Sequence, residues 1–152
     1  MANTQAVATS FKVELMGAYH NLIATNVART VNTVDVLKAA LFVTTATLGA
    51  ATTAYSTTGE VTGTNYTAGG VTVTNGNVPA SSGTTAYWTP SANFVWTNVT
   101  LSTAFDAVLL YNSTQANRAI ATYTFGAQTV TAGNFSLTMP TNDGTFGLLR
   151  IA

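Results

Sequence analysis

Beyond residue 30 the sequence consists of short runs of β-branched and aromatic residues that are cut by clusters of Gly, Asn, Pro and Ser. Such runs favour strands, and their spacing of roughly 8 to 12 residues is typical of an antiparallel β-sandwich. The chain is therefore predicted to be mostly β, with an antiparallel two-sheet, jelly-roll-like β-sandwich over 31–152. The predicted strands are 36–44, 71–74, 84–89, 94–97, 105–111, 119–125, 128–130 together with 134–139, and 146–151.

One segment near the N-terminus has helical periodicity instead. Phe11, Leu15, Tyr19 and Leu22 recur at helical spacing, and the Thr–Ser pair that precedes them can cap a first turn. We predict one N-terminal α-helix over 9–23 that lies on the sheet core. Because a single core comfortably covers a chain of 152 residues, the whole of 1–152 is predicted to form one domain.

Two segments, 1–8 and 46–70, have no clear periodicity. The first carries no charge and is predicted to be an extended arm that gains order by docking on another surface. The second is a long loop, whose tyrosines favour an ordered, contact-making loop over a flexible linker. For these tyrosines, packing into the core is an equally good interpretation, whereas Trp96 and Tyr111 lie in apolar runs and are predicted to be core residues. The predicted interface residues are Ala2, Asn3, Thr4, Gln5, Tyr55 and Tyr66.

The chain carries very little charge. Charged residues make up 7% of it, against about 25% in an ordinary soluble domain, and the formal net charge is zero. The five basic residues are scattered singly, so the clustered cations that displace phosphate counterions are missing and no nucleic-acid partner is predicted. A neutral surface also gives little colloidal repulsion, which an assembly subunit tolerates better than a free monomer does.

Neither a secretion signal nor a membrane span is predicted. The N-terminal stretch lacks a basic region followed by an unbroken apolar one. The most apolar stretch, 34–54, is interrupted by Asp35, Lys38 and several threonines, and it falls short of the roughly 20 apolar residues that cross a bilayer. The absence of cysteine is compatible with synthesis in a reducing cytoplasm.

The residue types that carry catalysis are sparse. His20 is the single histidine, and no serine lies in a Gly-x-Ser-x-Gly motif. The five acidic residues are far apart in sequence, which excludes local acidic loops of the calcium-binding kind. Asp106 and Asp143 are predicted to form local hydrogen bonds. We therefore predict that the chain is not an enzyme and assign no catalytic, cofactor-binding or metal-binding residue.

Several motifs together resemble a known family of viral proteins. They are SFKVEL at 10–15, DVLKAALFVT at 35–44, EVTG at 60–63, VWTNVT at 95–100 and AVLLYN at 107–112. In these motifs, which span nearly the whole chain, the sequence is similar to small virion structural proteins of tailed bacteriophages, the head decoration or cement proteins. The motifs are structural rather than chemical, so the resemblance carries over no catalytic residue.

The resemblance implies a structural virion protein that decorates or cements the capsid shell. The expected partners are the major capsid protein and other copies of the chain itself, as a homotrimer in the first place and a dimer in the second. The expected location is the capsid exterior, after synthesis in the host bacterial cytoplasm. The alternative is a tail- or fibre-associated module for carbohydrate or receptor recognition, in which loop tyrosines stack on sugars.

Overall fold

The chain folds into two antiparallel β-sheets. A computed structural model describes residues 3–8, 11, 15, 20, 22 and 34–151. The large sheet has five strands in the order β1-β7-β6-β2-β3, and the small sheet has three in the order β4-β5-β8. The prediction of a mostly β chain with two antiparallel sheets is confirmed. The strands are β1 (Ala6–Val7), β2 (Leu37–Val43), β3 (Val71–Thr72), β4 (Ala80–Ser82), β5 (Thr85–Trp88), β6 (Phe94–Asn112), β7 (Arg118–Leu137) and β8 (Leu149–Ile151).

The large sheet is built around the hairpin of β6 and β7, which are 19 and 20 residues long. Strand β2 pairs with β6 from Leu37 opposite Asn112 to Val43 opposite Phe105. The stretch of β6 beside β2 is buried on both faces from residue 107 to 112, which is why its sequence is continuously apolar from 107 to 111 instead of alternating. The sequence predicted two separate strands, 94–97 and 105–111, where the structure has one.

Bulges explain why one long strand looks like two in the sequence. The pairing of β6 with β7 shifts register several times between residues 96 and 107, and Asn98 and Ala132 take up positive φ angles of 50° and 45°. Side chains replace the missing ladder bonds there: the backbone N–H of Asn98 donates to Asn134 Oδ1 at 2.8 Å, and that of Ala132 donates to Thr100 Oγ1 at 3.0 Å. The register shift between Val130 and Gly133 is therefore a bulge in β7.

The N-terminal helix predicted over 9–23 is not supported. Most of that segment lies outside the described residues, and no helix occurs in the described stretch 34–151. Within the segment, the side chains of Phe11 and His20 are buried, and their rings lie edge to face with centroids 4.8 Å apart. The apolar spacing therefore identified a core contact at Phe11 without establishing a helix.

The described part of the N-terminal arm, residues 3–8, docks on the chain's own large sheet. Ala6 and Val7 pair with Thr122 and Ala121 of β7, and the N–H of Ala8 donates to the carbonyl of Ile120 at 3.0 Å. The arm was predicted to gain order by docking on another surface. In this structure the surface is β7 of the same chain. Whether it also contacts another molecule stays a prediction.

The buried residues of both sheets form one apolar cluster. Trp96 and Tyr111 belong to it, which confirms their prediction as core residues. Trp88 of the small sheet lies in the same cluster, and its indole N–H donates to the carbonyl of Asn77 at 3.0 Å. The shared cluster joins the small sheet to the large one, because burying these rings contributes to the stability of both.

Gly70 should be irreplaceable at the start of β3. Its φ is +70°, and a Cβ built there would lie 1.9 Å from the carbonyl oxygen of Ala39 in β2. We expect Gly70→Ala to lower the free energy of unfolding by about 3 kcal/mol or more, because both the backbone angle and the strand contact must give way. Urea unfolding measures this loss.

The matched control is Gly126→Ala, since a Cβ at Gly126 meets no atom within 4 Å. We expect that variant to change the free energy of unfolding by less than about 1 kcal/mol. Equal stability of the two variants would show that β3 does not approach β2 as described.

Candidate assembly surface

The long loop between β2 and β3 is fixed to the sheet by one buried carboxylate. Glu60 is 8% exposed. The hydroxyl of Tyr55 donates to its Oε2 at 2.6 Å, the hydroxyl of Tyr66 donates to Oε1 at 2.7 Å, and the N–H of Gly69 donates to Oε1 at 2.8 Å. A buried charge is tolerated when hydrogen bonds satisfy it, and bonds to an ionised acceptor are the stronger kind. We call Glu60 with these three donors the Glu60 network.

The Glu60 network continues into the strands beneath the loop. The hydroxyl of Tyr66 also accepts a bond from the N–H of Leu41 in β2, at 3.0 Å. Tyr111 of β6 donates its hydroxyl to the carbonyl of Gly69 at 2.8 Å, and its ring stacks on that of Tyr55 with centroids 4.5 Å apart and planes 10° apart. The two loop tyrosines, predicted as interface or core residues, thus point their hydroxyls inward and are partly buried. Their predicted contact with a partner stays a prediction.

Burial raises the pKa of all three tyrosines of this region. For Tyr55 and Tyr66 desolvation is the main cause, followed by the hydrogen bond to Glu60, which favours the neutral donor over the phenolate. The pKa of Tyr111 rises to about 12, first through desolvation and then through the negative charge of Glu60. The phenols therefore stay protonated and keep donating over the whole neutral range.

Together with Thr4 of the arm, the loop lines an open depression of about 920 Å³. The arm and the loop meet here: the N–H of Thr4 donates to the carbonyl of Leu48 at 2.9 Å, and the N–H of Leu48 donates to Asn3 Oδ1 at 3.2 Å. Two segments that the sequence marked separately as interface candidates are thus parts of one surface. We call it the Thr/Ala depression, lined by Thr4, Thr45, Ala46, Thr47, Leu48, Gly49, Ala50, Ala51, Thr52, Thr53, Ala54, Ser56, Thr58 and Gly59.

A second surface lies where the hairpin continues past β2. Residues 94–104 of β6 and 128–137 of β7 pair with each other beyond the end of β2, and we call this part the distal ribbon. Its inner face carries an aromatic cluster in which the ring of Phe135 lies 4.9 Å from that of Phe105 and 5.8 Å from that of Trp96. Its outer face exposes threonine, serine and asparagine side chains, and neither ribbon segment contains a charged residue.

A further polar cluster lies at the other end of β6. The side-chain amide of Asn112 donates to Asp35 Oδ2 at 2.8 Å and lies 3.3 Å from His20 Nδ1, and that of Gln115 donates to Asp35 Oδ1 at 3.2 Å. Asn112 is fully buried, and Asp35 and His20 are nearly so. These bonds hold the turn after β6 against the chain that enters β2, which gives the cluster a structural role. Sequence reasoning missed the cluster because its members are far apart in sequence.

The two acidic residues predicted to bond locally behave differently from each other. Asp143 accepts from the N–H groups of Thr145 and Phe146 and from the hydroxyl of Thr141, and that hydroxyl, followed by the two N–H groups, lowers its pKa. Asp106 instead accepts a bond from the side-chain amide of Asn3, so it fastens the arm to β6. The prediction is confirmed for Asp143 and wrong for Asp106.

Comparison of the chain with protein-family models, with curated proteins and with solved structures gives no match. Among the described residues, no helix has both the length and the apolar character that a bilayer crossing requires. The described residues likewise contain no group of three or more His, Asp or Glu side chains placed to hold a metal ion.

Replacing the carboxylate should release the loop. Glu60→Gln presents an amide N–H₂ to groups that are themselves donors, so at least one phenol or amide loses its partner inside the protein. We expect a loss of about 2 to 4 kcal/mol in the free energy of unfolding, and faster amide hydrogen exchange in 46–70. Tyr87→Phe, which removes a hydroxyl outside the Glu60 network, is the control and should have little effect. Unchanged exchange in Glu60→Gln would refute the anchoring role.

Alkaline pH should destabilise the fold. A tyrosine whose pKa is raised above its unfolded value of about 10 adds stability that is fully present below pH 10 and is lost as the pH rises towards the folded pKa. For Tyr111 that pKa is about 12. We expect the melting temperature to fall between about pH 10 and pH 12, and Tyr111→Phe to show a shallower fall. Parallel curves for the two proteins would contradict the assignment to Tyr111.

Proposed function

We propose that the chain is a non-enzymatic structural protein of a tailed-bacteriophage virion, which decorates or cements the capsid shell through protein–protein contacts. It acts on the capsid exterior after synthesis in the host bacterial cytoplasm. Its partners are the major capsid protein and further copies of itself, and neither a cofactor, nor a nucleic acid, nor a membrane takes part. The resemblance of its motifs to head decoration proteins supports the phage setting.

The observation that carries the proposal is the uncharged surface formed by the arm and the long loop. None of the residues that line the Thr/Ala depression is charged, and most have small side chains. Small side chains let another backbone approach closely, and an uncharged surface avoids the large cost of removing buried ions from water. Threonine hydroxyls and exposed backbone groups still offer hydrogen bonds to a partner.

The Glu60 network makes this surface suitable for repeated docking. Because Tyr55 and Tyr66 tie the loop to β2 and β6, the loop is ordered before any partner binds. A preorganised surface loses less conformational entropy on association than a flexible one. Many weak contacts of this kind on one particle, made by linked copies, gain further from effective concentration. The linked unit is a homotrimer or a dimer, of which the resemblance puts the homotrimer first.

The alternative function, a tail- or fibre-associated module for carbohydrate or receptor recognition, has less in its favour. The hydroxyls of Tyr55 and Tyr66 are engaged by Glu60, and one face of the Tyr55 ring is covered by Tyr111. The described aromatic side chain that is most exposed is Phe146, at 65%, which is an isolated ring and not a row of rings for stacking on a sugar chain.

The finer architecture, a jelly-roll-like sandwich, also stays a proposal. The apolar cluster that the two sheets share supports a sandwich-like packing of the small sheet on the large one. The strand order of the large sheet, in which β6 and β7 are neighbours in a long hairpin, leaves the jelly-roll connection unsupported.

Copy number on the virion tests the proposal directly. We expect cryo-electron microscopy of virions purified from the source phage to locate the chain at regular lattice positions over the head, because a cement protein follows the symmetry of the shell. A few copies confined to the tail or its fibres would reject the capsid role in favour of the recognition module.

A charge placed in the Thr/Ala depression should weaken binding to the shell. We expect Ala51→Lys to lower the affinity for particles stripped of the protein by roughly tenfold or more, because the new cation would lose its water at the contact. Ser81→Lys, on the exposed strand β4, adds the same charge outside the depression and should bind normally. Equal binding of both variants would show that the depression is not the contact.

A further inference from the structure

Few of the residues that the structure describes pair with the outer edge of β7. Strand β1 pairs only with Ala121 and Thr122, and Ala8 adds one bond at Ile120. Among the described residues, no strand pairs with the outer edge of 123–137. An unpaired strand edge presents backbone donors and acceptors that can pair with another strand.

The open edge lacks the usual chemical protection against such pairing. Exposed edges are commonly guarded by charged side chains or by proline, and the segment 124–137 contains neither. It does contain bulges, between residues 124 and 128 and between Val130 and Gly133. These bulges interrupt the edge and leave one stretch, 133–137, with no extra residue in β7. Gly133, Phe135, Ser136 and Leu137 each have a partner in β6, and the register shift beside Asn134 places its extra residue in β6, between Trp96 and Val99.

The stretch 133–137 is complementary to itself. When two copies are aligned antiparallel about Phe135, Asn134 of each copy lies opposite Ser136 of the other, and Gly133 lies opposite Leu137. Asn134 and Ser136 are exposed, whereas Gly133, Phe135 and Leu137 are half-buried towards the aromatic cluster. Each polar side chain thus meets a polar one, and the smallest residue meets a large one.

We infer that residues 133–137 form a two-fold, antiparallel strand contact with the same segment of a second copy of the chain. The contact would join two five-stranded sheets into one continuous sheet through their distal ribbons. A second copy fits this edge because it presents the same uncharged strand with matching polar side chains. Antiparallel pairing of a strand with its own copy produces a two-fold axis, which is the usual symmetry of a dimer. The inference rests on the proposed function, since it names the contact through which copies associate, and it favours a dimer as the basic unit.

Two matched double variants test the contact. In Asn134→Asp with Ser136→Lys, each new Asp lies opposite a Lys of the other copy; in Asn134→Asp with Ser136→Glu, each lies opposite a Glu. Both variants keep a carboxylate oxygen that can accept the bond from the N–H of Asn98. The isolated fold should therefore respond similarly in both, while the contact between copies should not.

Sedimentation equilibrium of the full chain gives the readout. We expect the wild type to form a dimer of about twice the 15.7 kDa chain mass. We expect the dimer dissociation constant of the Asp/Glu variant to be roughly tenfold higher than that of the Asp/Lys variant. Hydrogen exchange at 133–137 should slow as the wild-type concentration rises. A monomeric wild type, a trimer, or equal dissociation constants of the two variants would overturn the inference.

This measurement is independent of the virion. If the chain dimerises as expected but does not bind capsids, the proposed function fails and the strand contact stands. If it decorates capsids but is monomeric in solution, with 133–137 protected from exchange only on the particle, the second copy is rejected as the occupant and a strand of the capsid protein takes its place.

Discussion

The pairing of β6 with β7 is the constraint on which the rest of the structure depends. Strand β2 pairs with the inner edge of this hairpin, and the arm pairs with its outer edge. The turn between the two strands is short, so the hairpin contacts nearest to it, such as that of Asn112 with Arg118, are local in sequence and can form before the more distant segments are in place. Because β2 and the arm use the hairpin edges as templates, a fault in the hairpin register would displace both of them.

The Glu60 carboxylate fixes the long loop where its pairing with the strands is sparse. A loop as long as 46–70 normally has high conformational freedom. Among the described residues, its backbone pairs with the strands in isolated bridges, such as the one between Ala54 and Arg118. The Glu60 carboxylate accepts hydrogen bonds from two tyrosines and a backbone amide in different parts of the loop. The outer surface of the loop can then consist of small uncharged residues, because the tyrosines that hold it in place lie on its inner side.

The sequence allowed the strand content and much of the core to be predicted. Strand β2 was placed to within one residue at each end, and Trp96 and Tyr111 are core residues as expected. The predictions that failed share one physical cause. A sequence pattern describes a single segment, whereas the missed features are contacts between segments. In the stretch 97–104, threonine, serine and asparagine interrupt the apolar pattern, and only the pairing with β7 shows that the stretch continues a strand. The partners of Glu60 and the bond from Asn3 to Asp106 likewise join residues whose proximity no local spacing reveals.

The same limit applies to the candidate surface. The arm and the loop were each predicted as interface candidates, but only the folded structure shows that they meet at Thr4 and Leu48.

The described partners of the Glu60 carboxylate are all neutral: two phenols and a backbone amide. Dissolved salt weakens attraction between exposed opposite charges within a Debye length of about 8 Å at physiological ionic strength. A buried carboxylate held by neutral donors offers dissolved ions little to screen, so the hydrogen bonds that hold the loop should depend little on the ionic strength of the surroundings.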